Sequence, residues 1–446
     1  MALTYPEIVL TLADESTLTF RDTGVISAEI VEESNPISAT LPISDLNCKL
    51  FDDNGGFSVF GTENTFAARK PIEVYEYING TKYYIGKYYL NKPTVIDQKQ
   101  IEIEAVDAIG LLDTTDFDGR FWSSLTDFSV IVDAILGDLS IEYEIESVLQ
   151  GQQLKGWIPP GNRRDALQQA CFAVGAAVKT SRTDEIVIYE SPLPETHDWH
   201  HYDIGVNDKF RDQPISLKPL VTSIELVAHN YEQSATEETI FDDTLEAGTY
   251  KIIFEKPYYD VSISGVGYVP TYLGTTGGDT LVNEDDEKIV AFGEFEFGPN
   301  SVTLNVVEPG GAVLIKGYPW NDIKQAYTFT ESGLASDINK NVLNITNATL
   351  VSNDNANTVL NRIRDYYRQR YLHEFILVPA AGTKYGVAVY GVDVYGWSSE
   401  AVNIGQILSV DTVHGEKIRC AIERITLNLT GGFLGKYETT GVEVVS

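Results

Sequence analysis

The chain of 446 residues holds six histidines, and three fall in one polar run as His197, His200 and His201, with Asp198 and Trp199 between them. Imidazole and carboxylate are zinc ligands, but zinc sites draw on spacings that let side chains converge. No Cys or Glu motif supports one here, so the run reads as an exposed linker. Two acidic runs, Asn283 to Glu287 and Phe51 to Gly56, offer oxygen donors of the kind calcium takes. Both miss the spacing of a calcium-binding loop and read as solvated loops. Paired carboxylates serve glycosidases, yet with 65 acidic residues nearly any pair can be drawn, and no Ser–His or Cys–His constellation stands out. The sequence therefore calls for no catalytic residue, no metal and no cofactor. The remaining chemical candidate is a helix face that carries Arg362, Arg364, Arg368 and Arg370, with Tyr366 alongside. In a basic protein such a face suggests nucleic acid. In this acidic chain the four arginines are expected to pair with carboxylates, within the subunit or across an interface, and they are the interface candidates.

Positioning these residues requires a mainly β scaffold. The clearest supersecondary unit runs from Trp157 to Glu190. Pro159, Pro160 and Gly161 stop any strand, Asn162 is placed to cap a helix starting near Arg163, and Asp165 sits in its first turn. Leu167, Ala170, Cys171, Val174 and Ala177 form its apolar stripe, opposite Arg164, Gln168 and Gln169, and Gly175 ends it. Ala176 to Lys179 and Glu185 to Tyr189 then read as two strands joined by a turn over Ser181 to Asp184. The unit is a helix laid on a hairpin, and its job is packing.

Strands fill the rest. Before Val106 the β-rich segments are Glu7 to Leu12, Val25 to Val31, Lys49 to Phe51, Ile72 to Ile78, Lys82 to Asn91 and Gln100 to Val106. Asn79-Gly80 is a strong hairpin signal, because a type I′ turn needs two residues that tolerate positive φ. Phe128, Ile131, Val132, Ile135 and Leu136 predict a helix closed by Gly137. Alternation returns from Leu220 to Gly317 with glycine turns, which reads as an antiparallel β module with a loop over Gly274 to Asp286. The longest helix is expected from about Asn355 to Leu372, burying Ala356, Val359, Leu360, Ile363, Tyr367 and Tyr371. From Gln406 to Val445 strands recur around turns at His414-Gly415 and Gly431-Gly432. Setting Gly415 on Gly80 also sets Ile407 on Ile72, Lys417 on Lys82 and Ala421 on Gly86, which predicts two related β units near the two ends.

The formal net charge of −33 makes a wide acidic surface unavoidable and disfavours direct nucleic-acid binding. It suits a passage that DNA traverses without sticking. Cys48, Cys171 and Cys420 lie far apart without CxxC spacing and read as small buried hydrophobes. The N-terminus lacks a signal-peptide pattern and no apolar run is long enough to span a bilayer, so synthesis and folding in a bacterial cytoplasm are expected.

WIPPG with RRDALQQACFAVGAAVKTSRTDEIVIYE, then LVTSIELVAHNY with TLEAGTYKIIFEKP, then ERITLNLTGGF, together resemble the baseplate hub proteins of tailed bacteriophages and phage-derived contractile particles of Gram-positive bacteria. The resemblance covers most of the chain. It implies a homotrimer that adapts a sixfold tail tube, or its distal adaptor, to a threefold central spike among other baseplate proteins, located in the particle's tail. It implies tandem small β-barrel domains at 1–106 and at 206–231 with 373–446, an α+β domain at 107–205, an inserted β-sandwich-like module at 232–330 and a connecting segment with the Arg-rich helix at 331–372. Many relatives continue into a peptidoglycan hydrolase; this sequence stops at Ser446, soon after the LTGGF strand, so that activity is not implied. The alternative is a secreted or surface carbohydrate-binding β protein, stacking sugars on Trp199, Trp320 or Trp397, against which the missing signal peptide counts. An enzyme is the third class.

Overall fold

The computed structural model describes residues 4–35, 37, 40–60, 65–78, 81–193, 201–210, 214–246, 248–264, 296–298, 300–306, 311–331, 340–376, 403–430 and 434–444. The chain is mainly β, with a few short helices. One sheet of 13 strands dominates, and it draws on both ends of the sequence. Its path runs Ile215–Leu217, Tyr371–Ile376, Leu434–Glu443, Lys417–Asn428, Val25–Glu33, Asp45–Phe51, Gln100–Val106, Thr81–Val95, Pro71–Ile78, Thr4–Thr11 and Thr17–Arg21. A side branch pairs Ile407–Asp411 antiparallel with Lys417–Asn428 and parallel with His201–Ile204.

The two ends of the chain join at one ladder. Arg424 lies opposite Glu33 and Asn428 opposite Glu29, antiparallel, so the N-terminal and C-terminal strands form one continuous surface. Period-2 patterning decides which face closes inward. Along Gln100–Val106, Ile101, Ile103 and Ala105 are buried while Glu102 and Glu104 are exposed. Ile8, Ile30, Leu50, Ile85 and Ile101 from the first part share a single apolar core with Leu408, Val410, Ile425, Leu427 and Tyr437 from the last.

The Asn79-Gly80 turn lies outside the described residues, but Ile78 pairs with Thr81 across it, as a two-residue connection requires. At the other end Asp411 pairs with Lys417, so that hairpin has a longer loop and a different register: Ile407 faces Ala421, whereas Ile72 faces Tyr88. The two hairpins share a strand–turn–strand form without sharing a residue-by-residue register.

A second core holds the helix-on-hairpin unit. The helix Arg163–Val174 begins where expected, with Asn162 Oδ1 accepting from the Asp165 backbone N–H at 2.7 Å, and Gly175 ends it at φ 76°. Gln168, expected on the exposed face, is buried, because this helix is enclosed on nearly every side. The helix Phe128–Leu136 packs against it. Behind it, Ala176–Lys179 pairs antiparallel with Ile186–Glu190.

Two readings change. The strand Ser223–Gln233 falls within the segment assigned to the second barrel, yet it pairs with Gly311–Thr330 and Val342–Ile345, and Ile224, Leu226 and Ala228 belong to the core of the helix-on-hairpin unit. The longest helix spans Ala356–Arg368, and Tyr371 opens a strand that pairs with Leu434–Glu443. The helix buries Tyr366, with Tyr367 only half-buried, because its axis lies on Ser223–Gln233 and Gly311–Thr330. The middle module keeps a small core of its own around Phe254, Val302, Leu304, Val313 and Ile315. The loop over Gly274 to Asp286 and the Asn283 to Glu287 run lie outside the described residues.

Leu427 sits in the shared core beside the joining ladder. Leu427→Ala is expected to cost roughly 2–5 kcal/mol in denaturant unfolding. Hydrogen exchange should accelerate in Gln100–Val106 as well as in Lys417–Asn428; acceleration confined to the latter strand would show two separate cores.

Candidate interaction site

The Arg-rich helix meets the sheet through its buried tyrosine. Tyr366 donates to Glu423 Oε1 at 2.9 Å, and Lys218 Nζ lies 3.1 Å from the Tyr366 hydroxyl and 3.4 Å from the same carboxylate. The ammonium also sits 4.2 Å from the centre of the Tyr366 ring. Burial and then the neighbouring Glu423 hold the phenol well above its usual range, so it stays a donor. This trio ties the helix to Lys417–Asn428, the strand that joins the two ends of the chain.

The four arginines separate into different roles. Arg362 reaches back to the Phe172 carbonyl at 3.2 Å, and its guanidinium lies over the Cα of Gly175. Gly175 is therefore demanded twice, by its left-handed backbone and by the absence of room for a Cβ. Arg362 packs back into the subunit. Arg364 and Arg368 both stand 5.7 Å from the centre of the Phe329 ring. Arg364 also pairs with Asp365 at 2.7 Å, and Arg368, 47% exposed, pairs with Glu331 at 3.2 Å. Arg370 follows the helix and donates to the Lys218 carbonyl at 3.3 Å.

A second polar junction, which the sequence reading did not single out, fastens the hairpin unit to the first β unit. Arg182 sits at φ 65° in the turn between the two hairpin strands and forms an ion pair with Glu32. Both side chains are buried, at 9% and 1% exposure. Near them Glu76 is fully buried, and neither carboxylate oxygen has a hydrogen-bond partner among the described residues. Burial pushes Glu76 up to about 9 against the opposing pull of Arg182, so it is a neutral acid at physiological pH. Asp107 completes the junction: its carboxylate accepts from Thr180 Oγ1 at 2.7 Å, Gly110 N at 3.0 Å and Ser44 N at 3.1 Å. A signal for Glu76 was present, since it continues the inward alternation of Ile72 and Val74. Nothing local marks Arg182, Lys218 or Glu423, whose partners lie far off in sequence.

The other chemical candidates disperse. Residues 194–200, with most of the histidine run, lie outside the described residues, and His201 opens a strand. The Phe51 to Gly56 run folds as a turn in which Asp52 Oδ1 accepts from Asn54 N at 2.9 Å and Gly55 and Gly56 take positive φ. His229 faces Asp322 Oδ2 at 2.8 Å with Nδ1 and the Thr346 carbonyl at 3.0 Å with Nε2, so both ring nitrogens are engaged. His373 is fully buried; burial and then Lys209 push it down to about 4, which makes it a neutral core residue. All three cysteines are buried free thiols. Trp320 packs 4.9 Å from Phe121 and 5.6 Å from Tyr259, in a cluster that seals the middle module to the hairpin unit. Trp199 and Trp397 lie outside the described residues. A cleft of about 570 Å³ opens between Pro159-Pro160, Phe172 and the edge strand Val342–Ile345, and among the described residues its lining holds no histidine, cysteine or serine.

If Glu76 is neutral in the fold and ionised in the unfolded chain, the unfolded state binds fewer protons between its ordinary 4.5 and about 9, and stability falls as pH rises through that window. Glu76→Gln should match the parent at pH 5 and exceed it by about 3 kcal/mol at pH 7 in urea unfolding. A variant destabilised at pH 7 would mean that Glu76 is ionised against Arg182.

No protein-family model matches the chain, and no curated protein matches it. Among solved structures it is similar to the 43 kDa tail protein of prophage MuSo2 from Shewanella oneidensis, at 12% identity over 97% of this chain and 98% of that one, with a TM-score of 0.49. It is similar to the tail protein from Neisseria meningitidis MC58, at 8% identity over 98% and 96% of the two chains, with a TM-score of 0.49. A third is the prophage tail protein gp18 from Listeria monocytogenes EGD-e, at 8% identity over 97% and 94%, with a TM-score of 0.45.

Proposed function

We propose that the chain is a structural hub of a phage or phage-like tail baseplate, a homotrimer that adapts the sixfold tail tube to a threefold spike. One observation carries the reading: Arg424–Asn428 pairs with Glu29–Glu33, so two β units from opposite ends of one chain stand side by side in one sheet over one core. A subunit built this way offers two neighbouring docking faces in a fixed relation. Three copies around a closed axis offer six, and the mismatch between a sixfold and a threefold partner is absorbed within each subunit. The first ring unit is residues 1–106. The second is the C-terminal part of the sheet, with Ile215–Leu217 and Tyr371–Ile376 at its edge.

The reading needs rigidity and no chemistry, and the buried polar junctions around Arg182 and Tyr366 are of that kind. The net charge of −33 fits a central passage through which DNA moves without adhering. Of the three tryptophans that the glycan-binding alternative would use, Trp320 is described, and it packs against Phe121 and Tyr259, which counts against that alternative.

Quantitative mass spectrometry of assembled particles should find half as many copies of this chain as of the subunit in one ring of the adjoining tube. Equal numbers would require one face per subunit and would end the adaptor reading, whatever the isolated chain does in solution.

A further inference from the structure

A cleft of about 220 Å³ lies where the Ala356–Arg368 helix leaves the end of the Gly311–Thr330 strand. Among the described residues its wall carries Arg364, Arg368 and Arg370 with Glu331, and its floor is apolar, with Phe329, Leu220 and Val221. Three guanidiniums at one small opening stand out in a chain with 32 basic residues against 65 acidic ones. Arg364 is already held by Asp365, through Nε and Nη2 at 2.7 Å, and by Asn361 through Nη1 at 2.9 Å, whereas the pairing of the other two is incomplete. Arg368 meets both oxygens of Glu331 through Nη2 alone, at 3.2 and 3.3 Å, rather than through the two-nitrogen fork that matches a carboxylate. Arg370 uses Nη2 on the Lys218 carbonyl, and its Nε is buried with no hydrogen-bond partner among the described residues. A buried N–H without an acceptor is costly, so a ligand that supplies one is favoured there.

We propose that this cleft receives a carboxylate side chain, a glutamate or aspartate, presented by a neighbouring protein chain. The apolar floor fits the methylenes of such a side chain while the arginines take its oxygens, and the cleft's size admits a side chain rather than a helix or a duplex. The field of a strongly negative protein works against a polyphosphate backbone but leaves a single carboxylate held at close range by Arg368 and Arg370, with Arg364 beside them. Arg364 and Arg368 already rest beside the Phe329 ring, each 5.7 Å from its centre, so less side-chain freedom is lost on binding. The assignment narrows the four interface candidates to three and gives them a ligand chemistry.

The test is NMR of the arginine Nε–Hε signals in the full chain, assigned with single Lys substitutions and titrated with N-acetyl-glutamate amide and, separately, with inorganic phosphate. The Arg364, Arg368 and Arg370 signals should move together with the glutamate probe. Arg370→Lys should weaken that binding by about tenfold, the loss of one hydrogen bond to a charged group. Leu220→Ala should weaken the glutamate probe and leave phosphate unchanged, while Lys324→Gln, an exposed cation elsewhere, should change neither. If Arg370→Lys fails to fold, Arg368→Gln, the exposed member, takes its place. No movement of these signals overturns the proposal. So does phosphate binding as tightly as the glutamate probe, which would make the cleft a general anion hole. Either result leaves the copy-number test of the hub reading untouched.

Discussion

The ladder between Arg424–Asn428 and Glu29–Glu33 is the constraint on which the rest of the architecture depends. Each end of the chain, taken alone, would leave a strand edge with unsatisfied backbone groups and half of an apolar face open to water. Pairing them removes both penalties at once and fuses Ile30 and Leu46 with Ile425 and Leu427 into one core. The cost is loop closure over most of the chain, which grows only slowly with length. A long intervening sequence is therefore tolerated, and the hairpin unit and the middle module occupy that interval.

The hairpin unit meets the sheet through buried polar junctions as well as apolar contacts such as Tyr89. An apolar contact would be stronger per unit area but indifferent to small slides. The buried Arg182–Glu32 pair repays its desolvation only at good geometry, and donors from Ser44, Gly110 and Thr180 converge on Asp107. The Tyr366, Lys218 and Glu423 trio sets the far end in the same manner. Misdocking by a strand register would leave these charges buried and unpaired, so the junctions fix orientation more than they add stability.

Much of this was legible in the chain because it is local. Asn162, Asp165 and Gly175 mark both ends of a helix through caps that act within one turn, and alternation places Ile101, Ile103 and Ala105 on the inward face. The joining ladder was not legible, since hydrophobic patterning tells a strand which face to bury and not which neighbour to choose. The strand Ser223–Gln233 shows the same limit: its pattern was read correctly as β, yet its partner lies about as far along the chain as the middle module is long. For the arginines, spacing indicated a charged helix face. It did not separate Arg362, folded back over Gly175, from Arg368 at the rim, because that difference is made by another helix end.

The middle module shares one long strand with the layer over the helix-on-hairpin core. Gly311–Thr330 runs unbroken for 20 residues, pairing first with Glu238–Leu245 and Tyr258–Ser264 inside the module and then with Ser223–Gln233 over the helix-on-hairpin core. A strand shared by two sheets cannot hinge without breaking its ladder hydrogen bonds, and the Phe121, Tyr231 and Trp320 rings close the angle at the crossover. The end of that same strand, at Phe329, forms the floor under Arg364 and Arg368. One strand therefore connects the module to the arginine cleft, and Tyr366 with Glu423 connects the cleft's helix to the ladder that joins the two ends of the chain.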